Sequence, residues 1–266
     1  MLRFILSGQM IPLKHAPIVI ELELVGNPGD CLDTGNTSGA PNSTSWKITE
    51  PQIKCDIITL DSELQNSYAS HMLGGKSLPI HFSNYATNVQ TATGNDNSLS
   101  IARSFTRLKS VFVTMFHGDG SDSSNKVANY FYHPMIGGYD KDAEVEFQLQ
   151  LGSAVFPQYP IRSLAEAFYS LRKTLGIANS GSLNVSKKSF MQNKNFLATD
   201  LEKLLGASFT GYNSKSGDLL TLKLRNAWNG AYVNTAPSQV HTVLHYDAVL
   251  HISDVGAQVL EWSGCY

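Results

Sequence analysis

A chain of 266 residues can hold two small domains, but a large β-sandwich of this length often forms one. It is 42% hydrophobic and 16% charged with a formal net charge of −2, so it can bury a real core while carrying fewer charges than usual. That balance excludes the basic footprint of a nucleic-acid-binding surface, and no apolar run reaches the length of about 18 residues that a spanning helix needs. Low charge among many Ser, Asn, Thr and Gly residues suits either packed, subunit-facing surface or long neutral loops. Cys31, Cys55 and Cys265 show no metal spacing and no CxxC, and an odd number argues against a purely intrachain disulfide framework. They read as free thiols in a reducing compartment. The apolar run in Met1–Met10 is too short for a secretory signal, so the sequons at Asn36, Asn42 and Asn184 read as chance.

In chain order, Ile11–Val25 predicts the first strand. Ile18, Ile20, Leu22 and Leu24 alternate with Val19, Glu21, Glu23 and Val25, and a strand points such residues to opposite faces. Pro12 and Pro17 suit its start, and Gly26-Asn27-Pro28-Gly29 ends it. Cys31–Ser45 is loop. Trp46–Leu60 predicts a second long strand, with Ile53, Cys55, Ile57 and Thr59 on one face and a bulge or edge at Pro51. Asp61–Leu73 predicts a short helix capped by Asp61 or Ser62 and stopped by Gly74-Gly75. Ser77–Phe82 is a brief strand, Thr91–Ser98 a turn, and Leu99–Arg107 and Leu108–Phe116 an extended pair. His117–Asn125 is a loop, and Ala128–Tyr139 reads as an aromatic loop docked on a surface.

Ala143–Leu151 alternates most clearly, with Val145, Phe147, Leu149 and Leu151 inward and Glu144, Glu146, Gln148 and Gln150 outward. Ser163–Leu175 predicts a helix: Ser163 and Glu166 form a capping box, Leu164, Phe168, Leu171 and Leu175 form the apolar stripe, and Gly176 is the stop. Gly181–Asn195 is polar and turn-like, and Phe196–Leu205 fits helix or strand. Asp218–Arg225, Val240–Ile252 and Val255–Trp262 are the last strands, with Asn226–Ser238 a loop. The sum is an all-β chain of about eight main antiparallel strands with long loops and one or two short helices. Strands do not alternate with helices and no long period repeats, so a jelly-roll β-sandwich fits best.

Chemistry-bearing patterns are sparse. Gly75-Lys76-Ser77 resembles the end of a phosphate-binding loop, but Ser70 stands where that loop needs its first glycine. His241 and His245 lie about 13 Å apart along a strand, too far to share an ion. No H-x-H occurs, and His81, His117 and His133 are scattered, so the metal-binding variety of jelly roll has little support. Asp119-Gly120-Ser121-Asp122 lacks EF-hand spacing. Glu21/Glu23 and Glu144/Glu146 are same-face pairs about 6.6 Å apart on a strand, a spacing a glycosidase can use but also the ordinary outcome of an amphipathic strand. No G-x-S-x-G elbow occurs. No catalytic, cofactor-binding or metal-binding residue is assigned, and the chain is read as a non-enzyme with no cofactor.

The ordered segments IPLKHAPIVIELELV, WKITEPQIKCDIITLDSELQNSYASHMLGGKSLPI, SFTRLKSVFVTMF, EFQLQLGSAVFPQYPIRSLAEAFYSLRKTLGI, GDLLTLKL and VLHYDAVLHISDVGAQVLE resemble the C-terminal half of a double jelly-roll major capsid protein. The likeness is to the capsid proteins of Polinton-like viruses and virophage-type relatives, and it covers nearly everything from Ile11 onward. It implies a structural protein in which two jelly rolls stand side by side and three chains form a pseudo-hexagonal capsomer of an icosahedral shell. It further implies partners in other copies of itself and other capsid proteins. A virion location, with synthesis in the host cytoplasm or nucleus, also follows from the likeness.

On this reading residues 1–10 are the remnant of an upstream linker or first barrel. Residues 11–266 are one jelly-roll domain with a helix-containing insertion near 163–175, placed between two strands with its stripe over a sheet edge or a neighbouring barrel. The chain is then a truncated or host-integrated remnant, or a separately expressed half. Two alternatives stay open: a lectin-like carbohydrate-binding jelly roll, using Tyr130, Phe131, Tyr132, Tyr139 and the loop at Asp119, and a non-assembling capsid remnant.

Overall fold

The structure, a computed structural model, describes residues 10–23, 47–92, 94–117, 144–176, 185–192, 194–202, 211–215, 219–227 and 237–260. The chain divides into two units, one built mainly from residues 80–250 and the other from residues 10–79 with 251–258.

The larger unit is a sandwich of two antiparallel sheets. Its strands are β1 (Leu78–Thr91), β2 (Asn97–Ile101), β3 (Leu108–His117), β4 (Glu146–Leu151), β5 (Ala154–Ile161), β6 (Leu197–Asp200), β7 (Leu220–Arg225) and β8 (Pro237–Ser253). The five-stranded sheet runs β1-β8-β3-β6, with β9 (Gly256–Leu260) also paired to β8, and the four-stranded sheet runs β2-β7-β4-β5. Counted in from the two ends of this series, β1 pairs with β8, β2 with β7, β3 with β6 and β4 with β5. The eight strands therefore form one long antiparallel ribbon. The ladders β3–β8 and β4–β7 roll it into two sheets, which is the jelly-roll arrangement.

Register explains the core. In the four-stranded sheet, Leu99, Leu222 and Leu149 stand in one row, Ile101, Leu220 and Leu151 in a second, and Asn97, Leu224 and Phe147 in a third. The period-2 pattern of three strands so brings their apolar faces into line. Facing them across the sandwich are Val111, Val113 and Met115 of β3 and Val240, Leu244, Tyr246 and Ala248 of β8, all buried in the same cluster. Burying a Val, Leu or Met side chain here stabilises by about 1.5–3 kcal/mol. Phe105, wholly buried, joins β2 to β3: its N–H donates to Ser214 Oγ at 2.8 Å, its ring lies 4.8 Å from that of Tyr246, and Arg103 sits over both rings.

Helix α2 (Leu164–Thr174; α1 belongs to the other unit) follows β5, as the capping box predicts. Ser163 Oγ accepts from the Glu166 N–H at 3.1 Å, and Glu166 Oε2 accepts from the N–H groups of Ser163 and Arg162. Its buried face is Ala167 and Leu171 with Leu164 and Phe168 packed alongside, whereas Leu175, expected in the stripe, is 40% exposed. Leu175 is the C-cap, past the last turn that faces the core. Gly176, at φ +67°, ends the helix in the left-handed conformation that suits glycine. Ser170 Oγ donates to the carbonyl of Ala198 on β6 at 2.6 Å. Among the described residues β6 is the last strand of its sheet, and α2 packs against it.

Two elements in this unit were not expected. Strand β5 contains Pro157 and Pro160, which argue against a central strand, but among the described residues β5 is the sheet's edge and pairs with β4 alone. Helix α3 (Lys187–Gln192) lies in the stretch read as turn-like. It is one short turn pinned by Phe190, fully buried with its ring 5.1 Å from that of Phe168, and by Ser186, whose hydroxyl accepts from the Ser189 N–H.

The smaller unit contains α1 (Ser62–Leu73), where Asp61 Oδ1 accepts from the Leu64 N–H at 2.8 Å and Gly74 and Gly75 end the helix. The end of β8 turns back at Asp254 and Val255 into β9 (Gly256–Leu260). Here two expectations fail. Within Ile11–Val25, the described residues form a turn at Leu13–His15, closed by the His15 and Ala16 N–H groups donating to the Pro12 carbonyl, and then no strand. Within Trp46–Leu60, residues 47–60 form no strand either. Alternation specifies a face, but a strand also needs a neighbour for its ladder, and among the described residues neither segment has one. Val19 is 76% exposed, Leu22 62%, Ile53 64% and Ile57 80%. The first strand of the roll is thus β1, far longer than the brief Ser77–Phe82 expected, because its polar second half (NYATNVQT) hides its pairing in a sequence read for apolar alternation.

Candidate functional site

The residues singled out from sequence do not converge. Glu146 is engaged by Arg162 at 3.1 Å and Arg225 at 3.8 Å, a surface ion-pair cluster, while Glu144 precedes the strand and its carbonyl accepts from Asn226 Nδ2. Glu21 and Glu23 lie on the unpaired segment of the smaller unit. Gly75 is the helix stop, and Ser77 Oγ lies 2.9 Å from His251 Nδ1. His81 is on β1 and Cys55 is exposed. The Asp119 loop, the aromatic stretch 128–139, His133, Cys31, Cys265 and the three sequons lie outside the described residues. Among the described residues no group of three or more His, Cys, Asp or Glu is placed to hold a metal ion, and no helix is long and apolar enough to cross a membrane.

What the fold does place is a difference between its two outer faces. On the four-stranded sheet the outward rows are Ser98–Lys223–Gln148, Ser100–Thr221–Gln150–Val155 and Arg225–Glu146. Apart from Val155 every member is polar or charged, and Ser98, Ser100, Lys223 and Arg225 are exposed. An antiparallel sheet with one solvated face looks like this.

The outer face of the five-stranded sheet is different. Its middle row is Ala198–Phe112–Val243, flanked by Asp200–Ser110–His245 on one side and Thr114–His241 on the other. Phe112, Thr114, Phe196 and Val243 line a shallow depression there. Phe196 remains 37% exposed, and Thr114 Oγ1 donates to the Asn195 carbonyl. The ring of Tyr85, from β1, stacks on that of His245 at 4.7 Å, and Ser110 Oγ lies 3.1 Å from His245 Nδ1. So His241 and His245 do share a face, as the alternation requires, but they bracket Val243 as parts of an aromatic and apolar surface. Burial pushes the His241 imidazole down from its ordinary range, because a charge beside this surface is poorly solvated.

A charged cluster closes one end of the same sheet. Lys109 Nζ lies 3.0 Å from Glu202 Oε1 and 3.7 Å from Asp247 Oδ1, and Asp247 Oδ1 also accepts from Ser83 Oγ at 2.7 Å. The cluster joins β1, β3, β8 and the residue pair after β6. Burial lowers the Arg107 guanidinium and Asp247 opposes that shift. Sequence reading missed this whole face: its signal is the outward register of β3 against β8, which no single strand displays.

No family model matches the sequence, and no curated protein matches it. Solved structures similar to this chain include the quasi-atomic model of the PBCV-1 virus capsid, with a TM-score of 0.44 at 11% identity over 77% of this chain and 55% of that one. Another is the Faustovirus major capsid protein, with a TM-score of 0.46 at 8% identity over 73% of this chain and 36% of that one. A third is the Sputnik virophage structure, with a TM-score of 0.39 at 12% identity over 71% of this chain and 40% of that one. The chain spans about half the length of the first of these.

Proposed function

We propose that this chain is a structural capsid protein, the second jelly roll of a double jelly-roll major capsid protein of the Polinton-like or virophage-type kind. The observation that supports this most is the unequal dress of the sandwich. One outer face is polar over β2, β7 and β4, while the other carries Phe112, Phe196, Val243 and Tyr85, an apolar surface suited to contact with another protein. A shell protein needs such a face for lateral packing and needs no catalytic centre. The segment order that resembles these capsid proteins agrees with it.

The smaller unit adds a second support. Segments 10–23 and 47–60 form no strand, and Val19, Leu22, Ile53 and Ile57 within them are exposed. Such exposed apolar residues suit cover by another protein or by more of a two-roll chain. The domain boundary we propose then lies before β1, with the described roll from Leu78 onward and the helical insertion between β5 and β6 inside it. Association is homotypic, with a trimeric capsomer in an icosahedral shell, and the location is the virion. Sedimentation velocity over a range of concentrations tests the reading: self-association into trimers or larger species supports it, and a strict monomer at high concentration rejects it.

A further inference from the structure

We draw no further inference here: the strongest candidate, the apolar depression between Phe112, Thr114, Phe196 and Val243 on the outer face of the five-stranded sheet, belongs to the surface already assigned to assembly, and nothing in the structure shows what else covers it.

Discussion

Asp247 shows how single residues hold this fold. Its carboxylate is shared by Lys109 from β3 and Ser83 from β1, with only 9% of the side chain exposed. Removing the charge leaves Lys109 with Glu202 alone and weakens a charge-assisted hydrogen bond. Asp247→Asn is expected to lower the unfolding free energy by about 1–2 kcal/mol, read as a shift in the urea midpoint at unchanged slope. His241 gives the pH dependence. Its folded pKa is depressed, so the unfolded chain binds the proton more readily, and stability falls as pH drops below the unfolded value of about 6.5. That loss levels off once the folded-state pKa is passed. The thermal midpoint at pH 5 relative to pH 7.5 should therefore drop less in His241→Gln than in the parent; an equal drop in both assigns the effect elsewhere.

At the level of elements, the helix between β5 and β6 is the most informative. Ser163, Glu166 and Gly176 specify its ends by local chemistry, and so they were legible in sequence. Ser163→Ala should cost about 1 kcal/mol by removing the acceptor for the Glu166 N–H. Ser170→Ala tests something sequence does not show, the hydrogen bond to Ala198 on β6. We expect faster amide hydrogen exchange confined to β6 and its flanks. Uniform protection in the variant would mean that the helix protects β6 without this bond. Strands β4 and β7 were legible because half-buried strands write their inward residues at every second position. Strand β5 was not, since its two prolines are tolerated only by an edge, and edge position is a property of the assembled sheet. Segment 10–23 failed in the opposite direction: its alternation is strong, but pairing is non-local, and the segment forms a ladder with no described strand.

For the whole molecule, the rolled ribbon divides the chain's apolar residues between two tasks. The inner rows of Leu, Phe and Val make the sandwich; truncating one of them, as in Leu222→Ala, should cost about 2–5 kcal/mol and lower stability without a change in association. The outer row on β3 and β8 holds Phe112 and Val243, both only partly buried, and under the proposed function it meets another protein. The fold class was readable from composition and alternation, but this second task was not, because it depends on which residues of different strands fall into register. Val243→Asp separates the two tasks, placing a carboxylate on the outer face while sparing the buried cluster. Sedimentation velocity of the parent and of Val243→Asp, with thermal unfolding of both as a control, tests the account most directly. A self-associated parent and a folded variant shifted to monomer are expected; a monomeric parent at high concentration, or association unchanged by Val243→Asp, would contradict assembly through this face.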